Sequence, residues 1–367
     1  MRVLHIIPGY KMGGVESLIM SLYRNIDKSL IQFDLLVENQ EWLPDFEEIS
    51  QSGGKVYQIK PLSKKNPFHY INEIKDFFKN HAGEYDIVHS HTVTRATPVL
   101  YYAKKSGISC RISHAHANSF KGNRFVAFWK IILRLNNKLS THYLAASQKA
   151  GSYYFGKDKK PFIVLKNTID AEKFSFSPTK RRSFRKSLNL ERAFVIGHTG
   201  RFTYLKNHWK IIDVFYEVNK HLPQTRLLLV GDGPTIDEIK QKAKELGIFD
   251  CIIFTGARDD VSDLLQAMDL FLLPSFFEGF CISLLEAQSI GLPCVVSNII
   301  PHEVQLTDLI TTFSLDEDDK VWAKAIISHQ NHQRSSQNKI ISEKGYDTKN
   351  NAKWLTDFYF GINNSKS

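Results

Sequence analysis

Two carboxylates, Glu278 and Glu286, stand eight positions apart in the run SFFEGFCISLLEAQSIGLPCVV. Glu278 precedes a glycine, where backbone can approach a ligand closely. Glu286 lies inside an apolar stretch of helical character, and a lone carboxylate is costly to bury there. It needs a polar partner, either sugar-like hydroxyls or a buried Arg or Lys, and the sequence leaves both open. The helix starting near Gly279, Phe280, Cys281 and Ile282 has free N–H groups at its beginning, which attract phosphate. A second cluster, HTGRFTYLKNH at 198–208, sets Arg201 and Lys206 just beyond a buried strand. Two cations at one place can neutralise a diphosphate and hold it as it departs. The plainer alternative is a pair of solvated surface cations.

Three further motifs carry weaker signals. PGYKMGGVE (8–16) puts Gly13 and Gly14 at a strand-to-helix turn, with Glu16 in the first turn where it complements the helix dipole. It is neither GxGxxG nor a Walker loop. VHSHT carries His89 and His91, and SHAHANS carries His114, His116 and Asn118. An HxH pair in a strand turns both rings to one face, and two such pairs can bind a metal. No carboxylate stands at ligand spacing, so no metal site is assigned. His116 is taken as a polar group offered to a ligand, and His89 and His114 as hydrogen-bonded strand-end residues. VGDGP (230–234) and TGARDDV (255–261) end strands in glycine turns whose backbone could read a base edge.

These residues need elements to position them. Short β-branched runs (RVLHIIP, FDLLVEN, YDIVHSH, SCRISHAH) alternate with helical ones, the mark of βαβ units around a parallel sheet. The alternation lapses near 165–190 and resumes with FVIGHTGRF, TRLLLVGDG, CIIFTG and LFLLPS. The expected architecture is α/β: two Rossmann-like doubly wound parallel-sheet domains facing a cleft. Residues 1–168 are the first domain, 169–190 a linker, 191–345 the second domain, and 346–367 a C-terminal helix that can return to the first. Ligands are expected at the carboxyl ends of the strands.

Composition narrows the function. The net charge of +10 is concentrated: residues 101–190 hold nineteen Lys or Arg against three acids, +16, which leaves −6 elsewhere. Such a field suits an anionic partner. The segment 121–138, KGNRFVAFWKIILRLNNK, mixes basic and apolar residues as a helix on an anionic membrane surface would; a core-packing helix with solvated charges is the alternative. No run is long and apolar enough for a membrane span. Four cysteines without CxxC spacing suit a reduced, cytoplasmic chain. No nucleic-acid-binding motif is found.

Taken together, GGVE, NTID, HTGRFTYLKNH, VGDGP and the stretch from TGARDDV to CVVSN resemble the retaining glycosyltransferases of family 4, of GT-B type. Bacterial exopolysaccharide and capsule transferases are the nearest subgroup. The resemblance spans residues 1 to about 325. It implies transfer of a sugar from a nucleoside diphosphate sugar, a UDP-sugar foremost, to a saccharide acceptor, lipid-linked, at the inner face of the membrane. It implies no cofactor and no metal. Arg201 and Lys206 would hold the donor diphosphate with the backbone of Gly279, Phe280, Cys281 and Ile282. Glu286 would bind ribose and Glu278 the region near the donor sugar. Arg258, Gly13 and Gly14 join the donor-binding set, and His116 stands near the transferred sugar. Phe280 and Cys281 depart from many relatives, which puts donor identity in doubt. The rival readings are a GT-B epimerase or hydrolase, marked by donor turnover without acceptor, and a nucleic-acid-binding protein built on the basic segment.

Overall fold

RVLHII and FVIGHT bury nearly every side chain on both faces, as strands inside a helix-covered parallel sheet must. The computed structural model describes residues 1–7, 14–38, 43–63, 66–92, 95–116, 126–156 and 160–364. It divides into two units, Met1–Thr168 with Thr348–Ser367, and Ile169–Asp347.

In the first unit the strands are β1 (Arg2–Ile7), β2 (Gln32–Val37), β3 (Val56–Gln58), β4 (Ile87–Ser90), β5 (Cys110–Ala115), β6 (His142–Ala145) and β7 (Ile163–Val164). All pair in parallel, in the order β3-β2-β1-β4-β5-β6-β7. The helices between them are α1 (Gly14–Asn25), α2 (Pro44–Gln51), α3 (Pro67–His81), α4 (Ala96–Lys105), α5 (Val126–Leu139) and α6 (Gln148–Tyr154). Pro44 opens α2 with Asp45 and Glu47 in its first turn, both favourable at a helix N-terminus. Ser147 caps α6 by accepting from the Ala150 N–H at 3.1 Å.

The second unit contains α7 (Pro178–Ser187), β8 (Phe194–Thr199), α8 (His208–His221), β9 (Thr225–Val230), α9 (Ile236–Glu245), β10 (Ile252–Phe254) and α10 (Val261–Ala267). β11 (Leu270–Leu273), α11 (Ile282–Ser289), β12 (Cys294–Ser297), β13 (Ile310–Phe313), α12 (Asp319–Ser328) and α13 (Asn338–Glu343) follow. Its sheet is also parallel, in the order β10-β9-β8-β11-β12-β13. In each sheet the strand order reverses direction beside the unit's first strand, at β1/β4 and at β8/β11. Such a switch point opens a crevice at the carboxyl edge.

The chain then forms α14 (Thr348–Asn364), which belongs to the first unit. Ala352, Leu355 and Tyr359 lie on one stripe of this helix and are fully buried against α1 and the sheet.

The linker expected at 169–190 is corrected. These residues are part of the second unit. Ser177 caps α7, and two of its basic residues, Arg181 and Arg185, point inward. Arg181 donates to the carbonyls of Gln266 and Met268 at 3.0 and 2.8 Å. Arg185 donates to Ala267 O and to Asp269, both at 2.9 Å. Guanidinium groups here satisfy the open carbonyls at the end of α10, where a helix dipole favours cations. Part of the positive excess is thus structural. Arg111, buried in β5, does the same for the carbonyls of Leu139, Ile108 and Ser109.

Candidate active site

At the switch point of the second sheet, four loops are knitted together through their backbones. Gly200 N–H donates to Val230 O at 2.9 Å, Phe202 N–H to Asp232 O at 2.9 Å, and Gly231 N–H to Gly256 O at 2.9 Å. Gly231 and Gly233 allow this approach: a Cβ at either would lie 2.1 Å from Gly200 O or 2.4 Å from Phe202 O. The glycines of VGDGP therefore serve loop-to-loop packing. The base-edge reading has no support here beyond the glycines themselves.

The loop carrying Arg201 and Lys206 is fixed to the loop after β11. Phe276 N–H donates to Leu205 O at 2.9 Å. Asn207, left-handed at φ 54°, caps α8 and donates from its amide to Pro274 O at 3.0 Å. His198 Nδ1–H donates to Leu272 O at 2.9 Å, joining β8 to β11.

On this frame Lys206 Nζ donates to Glu278 Oε1 at 2.7 Å, and the Ser275 hydroxyl donates to the same oxygen at 2.7 Å. The two side chains are 22% and 7% exposed. Lys206 and Glu278 thus meet each other, while Arg201 is exposed with no ion-pair partner among the described residues. Arg258 is exposed and held by Asp260 in a two-pronged pair at 2.8 and 2.5 Å.

Beyond Glu278 the chain enters α11. Cys281 is its N-cap, at φ 39° and ψ 70°, and is buried. Burial pushes its thiol up to about 12, with Glu278 contributing. Among the described residues the amides of Gly279, Phe280, Cys281 and Ile282 have no acceptor. Four consecutive free donors at a helix start form an anion-binding edge. Gly279 is exposed, with open space where a Cβ would stand. Phe280 turns aside and stacks on Tyr346, 5.7 Å between ring centroids.

Glu286 lies one turn into α11 and is partly exposed. No cation or hydrogen bond holds its carboxylate among the described residues, so the buried Arg or Lys that the sequence allowed is not there. Burial pushes its pKa up to about 8, and Lys173 opposes the shift only in part.

Residues 179–347 match the family described as glycosyl transferases group 1. Along its length the chain is similar to the putative glycosyltransferase EpsF of Bacillus subtilis: 29% identical over 374 residues, covering 98% of this chain and 96% of that protein. It is 29% identical over 228 residues to the UDP-Gal:alpha-D-GlcNAc-diphosphoundecaprenol alpha-1,3-galactosyltransferase of Escherichia coli, covering 59% of this chain and 58% of that one. In fold it is similar to HepE of Anabaena, solved in complex with UDP, with a TM-score of 0.73 at 18% identity over 100% of this chain and 98% of that one.

The chain is a GT-B glycosyltransferase. The transferase's remaining sequence-selected residues lie in its first unit. Gly14 opens α1, and Gly13 falls outside the described residues. His116 follows β5 and shares a hydrogen bond with His91, Nε2 to Nδ1, at 3.0 Å. His91 Nε2 lies 2.9 Å from His5 Nδ1. His89 bonds His114 at 3.2 Å and the Tyr359 hydroxyl at 2.6 Å. Burial drives all five imidazoles toward the neutral form, His116 to about 4 and His5 to about 3. Sequence reading overlooked His5 and Tyr359. His5 stands opposite His89 in the β1/β4 register, and alternation along β4 was its only available signal. Tyr359 comes from 270 positions away and left none.

Proposed function

We propose that the transferase moves a glycosyl unit, with retention and without a metal at the diphosphate, from a UDP-sugar to a lipid-linked saccharide acceptor, as a family 4 enzyme of bacterial exopolysaccharide or capsule synthesis. The observation that carries this is the run of free amides at Gly279–Ile282 beside Lys206, with Arg201 on the adjoining loop. As the bond between the anomeric carbon and the diphosphate breaks, its electrons pass to a phosphate oxygen. Fixed N–H dipoles and two cations stabilise that charge. The acceptor hydroxyl bonds to the same face of the sugar, and its proton passes to a donor phosphate oxygen. Glu286 accepts hydrogen bonds from the ribose hydroxyls. Glu278, held by Lys206 and Ser275, faces the donor sugar. The Escherichia coli relative's named substrate supports a lipid diphosphate acceptor. Exposed Ile131 and Leu135, 57% and 45%, one turn apart on α5 beside exposed Arg134 and Lys138, support contact with an anionic membrane.

A thermal-shift panel of sugar nucleotides with chelator present tests the reading. One UDP-sugar is expected to raise the melting temperature. Arg201→Ala and Glu286→Ala are each expected to shrink that shift. Undiminished shifts in both variants would remove the site assignment.

A further inference from the structure

The first unit gathers five histidines at its own switch point: His5 on β1, His89 and His91 at the end of β4, His114 and His116 at the end of β5. One ring nitrogen from each of His91, His114 and His116 lies within 4.8 Å of the others, and the same holds for His5, His89 and His91. We propose that His91, His114 and His116 bind one divalent transition-metal ion of the zinc class, with His5, His89 and Tyr359 as the layer that orients them.

The proton arrangement favours the outer trio. His91 can donate from Nε2 to His5 Nδ1, at 2.9 Å, which turns the His91 Nδ1 lone pair toward His116 Nε2, at 3.0 Å. His114 can donate from Nδ1 to His89 Nε2, at 3.2 Å, and His89 from Nδ1 to the Tyr359 oxygen, at 2.6 Å. That assignment satisfies each of these contacts; it leaves the His5 Nε2–H buried without a partner and a lone pair on His114 Nε2, likewise buried and unpartnered. Metal-binding histidines show this same pattern, one nitrogen on the ion and the other donating to an orienting group. In the deeper trio both nitrogens of His89 are already engaged, so it has none to give. Ligand nitrogens around a tetrahedral zinc ion stand about 3.3 Å apart. The His91–His116 pair therefore opens by about 0.3 Å to admit one. Hydrogen bonding alone would leave the His114 lone pair buried and unused. All the donors are imidazoles, which suits zinc, cobalt or nickel and not the oxygen-seeking magnesium or calcium. His116 is partly exposed, which supplies a way in and leaves a fourth position to water.

This reverses the expectation from sequence, where a missing carboxylate argued against a metal. Its ligands belong to the first unit, whereas the proposed diphosphate-binding residues belong to the second. A bound ion also takes the His116 lone pair, so a free His116 imidazole near the sugar and a loaded site exclude each other.

The test is equilibrium dialysis of tag-free, chelator-stripped protein against zinc or cobalt, with metal analysis and the visible spectrum of the cobalt form. One equivalent per chain, a tetrahedral cobalt band and a melting temperature raised by zinc but not by magnesium are expected. His114→Gln and the partly exposed His116→Asn should each weaken binding at least about tenfold, whereas His332→Asn, on the surface of the second unit, should not. Folding of each variant is checked by cooperative melting, and the UDP shift reports separately on the second unit. Uptake below a tenth of an equivalent, or uptake undiminished in His114→Gln and His116→Asn, overturns the proposal.

Discussion

Glu286 decides how the donor site answers to pH. Burial penalises the ionised form and pushes its carboxyl up to about 8, a shift that Lys173 opposes only in part. A carboxylate offers both oxygens purely as acceptors to the ribose hydroxyls, whereas the protonated carboxyl turns one into an O–H donor, so donor binding favours the carboxylate. UDP affinity is therefore expected to rise as pH goes from 7 to 9, with release of a proton below pH 8. Calorimetry in buffers of different ionisation enthalpy would detect that proton, and Glu286→Gln should abolish it. Stability follows the opposite course. Between the unfolded value of about 4.5 and the folded value of about 8 the folded state keeps a proton that the unfolded chain has lost. Stability thus falls as pH rises through this window, and Glu286→Gln should be the more stable form at pH 9 by about 1–3 kcal/mol. That range lies below the full shift because the group is partly exposed. The position of Glu286 on an apolar helix was legible in the sequence. What lay opposite it was not, since helical periodicity names a face and not its neighbour. Likewise Lys206 and Glu278 are separated by 72 positions, and no spacing rule could have joined them.

Loops on the carboxyl edge of the second sheet act as one element. Gly231 lies at φ 137°, and a Cβ there would stand 2.1 Å from a carbonyl oxygen of the neighbouring loop. Gly231→Ala is expected to cost about 3 kcal/mol or more and to erase the UDP shift, because the Arg201 loop loses its seat. Urea titration should show a lower midpoint with the slope unchanged. The Lys206–Glu278 pair is mostly buried, so a double-mutant cycle of Lys206→Met and Glu278→Gln should return a coupling of about 1–3 kcal/mol. A coupling near zero would mean the pair is incidental. The alternation of strands and helices was plain in the sequence because each strand is a short apolar run and each helix an amphipathic one. Helix α7 was not: its PTKRRSFRKS has almost no apolar face. Its Arg181 and Arg185 are buried by hydrogen bonding to carbonyls, which hydropathy patterns do not register.

Across the whole molecule, the net charge of +10 overstates the positive surface. Arg111, Arg181, Arg185 and Arg334 spend their donors on backbone carbonyls. A membrane interaction therefore has to rest on the α5 region rather than on total charge, and flotation with anionic vesicles, compared with Ile131→Asp, would measure it. The first unit also depends on α14. Tyr359 is fully buried and holds His89, so Tyr359→Ala should destabilise that unit by about 3–5 kcal/mol and Tyr359→Phe by about 1. Calorimetry should then resolve an early transition, while the UDP shift of the second unit persists. That dependence also sets an order of assembly. The ribosome delivers Ile169–Asp347 whole before it has made Ala352, Leu355 and Tyr359. The earlier-made half must therefore wait at the tunnel exit with part of its apolar surface uncovered until the later half has emerged.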